Sequence, residues 1–77
     1  MIKFTDNEER ARRKVVISFV GDISDTCYVE SLFPSDELVE YFNNWPCPVE
    51  KPVMSVKVFN RVGKNWKLGA SKLFLND

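Results

Sequence analysis

Apolar and polar positions along this chain repeat with two different periods, and the changes of period mark its elements. In residues 35–45 the period is helical. Leu38, Tyr41, Phe42 and Trp45 fall at i, i+3, i+4 and i+7 and form one apolar stripe, while Asp36, Glu37, Glu40 and Asn44 tend to the other side. Ser35 stands where an N-cap hydroxyl would accept from an orphan amide one turn on, and Asp36 and Glu37 set negative charge against the positive end of the helix dipole. Pro46 and Pro48 cannot continue a helix, and Trp45, standing before a proline, is pushed toward extended backbone. The pattern predicts one amphipathic helix of about ten residues.

On both sides of that helix the period is two. Residues 15–20 are β-branched and aromatic, with Val15, Ile17 and Phe19 on one face and Val16, Ser18 and Val20 on the other. The turn formers of residues 21–25 lead into a second strand over 26–33, and so short a link implies an antiparallel hairpin. Asp22 and Asp25 are read as turn chemistry, since a calcium loop needs more oxygen ligands at closer spacing. Residues 53–60 alternate again, with Met54, Val56 and Val58 opposed to Ser55, Lys57 and Phe59. A turn over 61–65 introduces a fourth strand over 66–75, whose face pattern shifts at Gly69 as a β-bulge would shift it. Between helix and third strand, Pro46, Pro48 and Pro52 make a stiff crossover.

The expected fold is therefore α+β: a two-layer ββαββ unit with a four-stranded, mostly antiparallel sheet and one helix packed on one face. Residues 1–14 are expected to be a loose or extended arm, and residues 15–77 the single domain. Ile2 and Phe4 flank Lys3 like the start of a strand, and Thr5-Asp6-Asn7-Glu8 matches a capping box. The expected core is Ile17, Phe19, Val29, Leu38, Phe42, Met54, Val56 and Val58. One short helix cannot hide both faces of a sheet, so an apolar surface around Val16, Val20 and Phe59 is left for the arm, a second copy or a different partner to cover. A homodimer is one expectation from this, because open sheet faces and outer strands are adhesive.

Seventy-seven residues with ten aromatics support one core, although a chain this short buries only about 60–65% of its unfolded surface. It carries eleven basic and eleven acidic residues, but they are segregated by segment. Residues 1–14 hold five cations against three acids, residues 15–50 hold seven acids and no cation, and residues 51–77 hold six cations against one acid. Two faces of opposite potential result if those segments stay apart in space. No apolar run approaches the ~20 residues of a membrane span, and no secretory leader pattern is present, so a cytoplasmic location with Cys27 and Cys47 as reduced thiols is expected.

The chain contains no histidine, no glycine-rich phosphate loop and no Cys/His metal spacing, so neither an enzyme nor a cofactor or metal site is expected. Cys47 between two prolines has no basic neighbour nearer than Lys51 to stabilise a thiolate. Two binding readings remain. In the first, the acidic helix residues Asp36, Glu37 and Glu40 and the apolar sheet residues Phe59 and Trp66 dock a protein partner; the alternative for the helix acids is a solubilising face, and a variant of the docking reading has Asp22, Asp25, Asp36, Glu37 and Glu40 imitate a row of phosphates. In the second, Lys57, Arg61, Lys64, Lys67 and Lys72 of one hairpin hold nucleic acid while Phe59 and Trp66 stack on bases, and Arg10, Arg12, Arg13 and Lys14 track phosphate. The zero net charge and the missing RNA-recognition strand signature place nucleic acid second.

In its size, lopsided charge, aromatic content and lack of catalytic groups, the chain resembles in general character the small phage or mobile-element proteins that inhibit host machinery, including anti-CRISPR proteins. The resemblance carries no motif. It implies a stoichiometric inhibitor of a host macromolecular machine.

Overall fold

The computed structural model describes residues 2–42 and 52–74. They form an α+β unit in which an open, five-stranded antiparallel sheet carries one helix on one face. The strands are β1 (Phe4–Thr5), β2 (Arg13–Phe19), β3 (Ile23–Val29), β4 (Val53–Val62) and β5 (Asn65–Leu73), in spatial order β1-β3-β2-β4-β5, and α1 spans Ser35–Tyr41. The two hairpins and the helix between them stand as expected. The expected sheet had four strands; the fifth is Phe4–Thr5, in the arm whose sequence left loose, strand and short-helix readings open. It pairs with β3 through Phe4 opposite Val29 and Thr5 opposite Tyr28, and the Glu30 N–H donates to the Lys3 carbonyl just beyond. Pairing with β3 satisfies backbone groups on an edge that would otherwise stay open, so tertiary context fixes what local propensity left ambiguous.

The arm also contains a short 3-10 turn at Glu8–Arg10, capped by the Asn7 side chain, which accepts from the Glu9 N–H at 2.9 Å. Thr5 Oγ1 accepts from the Asn7 N–H instead, so the cap sits two residues later than the capping-box reading placed it. The turn delivers the chain to Arg13, where β2 already begins.

Strand β2 is central, as its two apolar faces imply. Val15, Ile17 and Phe19 point to the helix layer and are fully buried with Val29, Leu38, Phe42, Val56 and Val58; Val39 and Val53 complete the core. Met54, expected in that core, is only half-buried. The ladder between β2 and β4 slips after Ser18, so Phe19 faces Val53 and Met54 is the residue skipped. The second strand is also displaced from its expected span: it begins at Ile23 and ends at Val29. Its turn needs only Val20, Gly21 and Asp22, with Gly21 at φ +96° and Asp22 at φ +60°, a region that Asp tolerates better than most side chains. On the other hairpin, β4 runs to Val62 and a two-residue loop suffices, with Gly63 at φ +63°.

Ser35 is not the N-cap. Pro34, at φ −57° and ψ 132°, holds that position, its carbonyl accepts from the Leu38 N–H, and Ser35 is the first helical residue. The Ser35 hydroxyl is thereby free to donate to Asn60 Oδ1 of β4 at 2.5 Å. This contact ties the start of the helix to the sheet beside the bulge at Gly69, where Val58 faces Ala70 but Phe59 faces Leu68. A Cβ on Gly69 would lie 2.9 Å from both the Ser35 hydroxyl oxygen and the Asn60 Cγ. Of the predicted stripe, Leu38 and Phe42 are buried. Tyr41 is 52% exposed and packs at the rim against Phe42 and Phe4, and Trp45 lies outside the described residues.

Two substitutions test this layer. Phe42→Ala should cost about 3–5 kcal/mol, enough to unfold much of the population. Gly69→Ala should cost about 1–3 kcal/mol by driving Ser35 and Asn60 apart. Urea melts followed by circular dichroism measure both, and a Gly69→Ala curve superimposed on the parent would show that the three-way contact constrains nothing.

Candidate binding face of the sheet

Facing residues in an antiparallel ladder share a face, so the registers define the surface that α1 leaves uncovered. Across it run Thr5, Tyr28, Lys14, Phe59 and Leu68 in one row and Thr26, Val16, Lys57 and Ser71 in the next, with Arg61 and Trp66 paired beyond the first row. Phe59 and Trp66, predicted for a contact surface, do lie together here. Asp36, Glu37 and Glu40 do not join them, because α1 packs on the opposite side of the sheet. Asp36 and Glu37 are exposed there, and Glu40 is engaged by the Lys72 ammonium of β5. The five residues proposed as one partner surface therefore form two, separated by the thickness of the sheet.

The basic residues divide as well. Lys57 and Arg61 lie on the uncovered face, and Arg12, exposed, continues it beyond the start of β2. Arg13 faces the other way and is structural: its Nε donates to the Phe33 carbonyl at 3.0 Å and its Nη1 to the Arg12 carbonyl at 3.1 Å. Lys67 faces Asn60 and so belongs to the helix side, Lys64 sits in the β4–β5 loop, and Arg10 Nη2 lies 3.7 Å from Glu30. Lys14 was expected among the phosphate-tracking cations of the arm, but Tyr28 was not singled out from the sequence. Alternation was the available signal, since each precedes a core valine and must point away from it, but their meeting with Phe59 follows from register alone.

At one end of this face the side chains form an interlocked group. The Tyr28 and Trp66 ring centroids are 6.2 Å apart, and the Arg61 guanidinium carbon lies 4.7 Å over the Trp66 ring. Arg61 Nη1 donates to the Glu9 carbonyl at 3.0 Å, and the Tyr28 hydroxyl donates to the Glu8 carboxylate at 3.1 Å. Desolvation first, and then that carboxylate, raise the Tyr28 pKa, so the phenol keeps its proton and stays a donor. The 3-10 turn of the arm thus brackets the aromatic pair. Farther along β5, Leu68 and Leu73 are 51% and 58% exposed, flanking Ser71. Among the described strand positions of the face, Lys14, Lys57 and Arg61 are charged and none is acidic.

Cys27 is a free, half-buried thiol on the helix side, opposite Val15, and lines a groove of about 380 Å³ with Phe4, Thr5, Asp6, Thr26 and Tyr28. Burial first, and then the Asp25 carboxylate, push its pKa up from 9.0 to about 11, opposite to what a nucleophilic thiol requires. Cys47 lies outside the described residues. Among the described residues no group of three metal-binding side chains occurs, and no helix is long and apolar enough to cross a membrane.

In a Cys47→Ser background, reaction of Cys27 with a disulfide reagent at pH 8 should be about 10- to 100-fold slower in the folded protein than in urea, because the thiolate fraction falls as the pKa rises. Asp25→Asn should speed it by removing the charge that opposes ionisation. Equal folded and unfolded rates would place Cys27 in an ordinary, solvated setting.

Compared with known proteins, the chain matches no family model, no curated sequence and no solved structure.

Proposed function

We propose that this protein is a non-catalytic binding module whose working surface is the uncovered face of the sheet, and that its ligand is single-stranded nucleic acid. One observation carries the reading: Tyr28, Phe59 and Trp66 share that face with Lys14, Lys57 and Arg61, and no described strand position on it is acidic. Bases stack on aromatic rings whatever their sequence, and cations interleaved with the rings neutralise the phosphates that accompany them. The zero net charge, which put nucleic acid second on composition, loses force because the acids of α1 project from the opposite layer. A second copy is a poorer occupant: apposing two such faces sets Lys14, Lys57 and Arg61 of one copy against the same cations of the other.

A protein partner is the second reading, and the exposed Leu68 and Leu73 favour it. Trp, Tyr and Arg are also the side chains on which protein interfaces most depend, and leucines at a rim exclude water around them. A stoichiometric inhibitor of a host macromolecular machine would use this face with the same residues and an acidic counterpart.

Fluorescence anisotropy with labelled ten-nucleotide dT and rU strands separates the two. Binding should weaken with salt at a slope near 2 in log–log form, about 0.7 for each of three neutralised phosphates. Trp66→Ala should cost about 1–3 kcal/mol of affinity, Lys57→Glu should weaken binding further, and Asp36→Asn with Glu37→Gln should change little. Strands ignored even at low salt, with one protein retained from lysate and lost on Leu68→Asp, would overturn the nucleic-acid reading in favour of the second.

A further inference from the structure

Beyond the aromatic pair the uncovered face ends in an open groove of about 530 Å³, lined by Glu9, Arg10, Ala11, Arg12, Glu30 and Arg61. We infer that this groove is a phosphate site, in which Arg12 and Arg61 grip phosphoryl oxygens. The inference rests on the single-strand reading only for the source of that phosphate, which would be the terminal phosphate of a strand lying across Trp66 and Tyr28.

Three observations converge on it. The charge of the groove is positive once its pairs are taken into account: Glu30 lies between Arg10 at 3.7 Å and Lys3 at 3.9 Å, so its carboxylate is already matched from within the protein. Glu9 then stands against Arg12 and Arg61. Arg12 is exposed and its guanidinium has no hydrogen bond or ion pair among the described residues, although its backbone is fixed: its N–H donates to the Val29 carbonyl and its carbonyl accepts from the Arg61 N–H. Finally, Arg61 is held in place but not satisfied. Nη1 gives one bond to the Glu9 carbonyl and the plane rests on Trp66; Nε is buried without a hydrogen-bond partner among the described residues, so it is the outer Nη1–Nη2 edge that is left for an anion.

Guanidinium groups fork onto two oxygens at once, and a phosphate group offers enough oxygens for two forks, where a carboxylate fills only one. Arg61 belongs to both the groove and the face. A strand whose end is anchored at Arg12 and Arg61 would meet Trp66 as its first ring, then Tyr28 and Phe59 along the row.

The experiment follows the arginine Nε–Hε signals of the full chain by heteronuclear NMR as pyrophosphate is added, with sodium chloride at matched ionic strength as the control. Signals of Arg12 and Arg61 should move and saturate, and chloride should leave them in place. Arg12→Gln should weaken pyrophosphate binding by about tenfold or more, Arg12→Lys by less, and Glu30→Gln should not weaken it, since that carboxylate competes for the same cations. The Arg12 side chain is exposed and makes no hydrogen bond or ion pair among the described residues, so these variants should keep the fold, which circular dichroism checks. In the second arm, dT strands with a 5′-phosphate, a 3′-phosphate or neither are compared. Tighter binding of one phosphorylated end, abolished by Arg12→Gln, supports the site and assigns its phosphate to a strand terminus. Saturable pyrophosphate binding with no preference among strands, or with no strand bound at all, supports the site with a free phosphate compound as its ligand. Pyrophosphate shifts no larger than those of chloride, or shifts unchanged by Arg12→Gln, overturn the site; if the strands still bind, the single-strand reading survives without it.

Discussion

Burial of Val15, Ile17 and Phe19 of the central strand beneath Leu38, Val39 and Phe42 is the contact on which the rest of this molecule depends. A helix of seven residues is only about 10 Å long, whereas five strands at about 4.8 Å spacing span roughly twice that distance. The helix lies closest to β4 and β5 and covers only part of one face. Its flanks are filled by side chains from elsewhere: Phe4 meets Phe42 edge-on at 6.1 Å, and Phe33, Ala70 and Phe74 pack at the margins. The two-residue strand β1 exists to this end as much as to protect an edge.

The same shortage explains the other face. Among the described residues no second layer covers it, and long side chains are laid across the sheet, which is how a ring on β5 comes to touch a ring on β3 with two strands between them. Arg61 holds that arrangement from below through Trp66 and from the side through the Glu9 carbonyl. A group of this kind is stable enough to be ordered and exposed enough to be used. Lys14, Lys57 and Arg61 lie on this face, whereas Asp36 and Glu37 project from the opposite layer, so the acids of the helix do not pair with those cations.

The edges are treated differently from each other. On one side β1 is too short to template another strand. On the other, β5 is long, but Gly69 bulges it and Lys67 and Lys72 stand along it, devices that discourage strand addition. Lys72 also reaches Glu40, and Ser35 reaches Asn60, so the helix is fastened to the β4–β5 hairpin by polar contacts at both ends of its short span.

Local pattern was enough to read one helix between two hairpins, the burial of β2, the two-faced alternation of β4 and the bulge at Gly69, because each depends on periodicity or on glycine within a few residues of chain. Where those readings slipped, a partner distant in sequence had intervened. Phe4 and Thr5 became a strand because β3 offered a free edge; Met54 left the core because the ladder to β2 slipped by one residue; Ser35 gave up capping because Pro34 took that place and Asn60 lay within reach. The segregation of charge along the chain was visible in the sequence, but which segments end on the same side of the sheet was not. Side-chain type and alternation are properties of a single strand, whereas the meeting of Lys14, Tyr28, Phe59, Arg61 and Trp66 depends on strand order and register, which are set by how four strands share one small core.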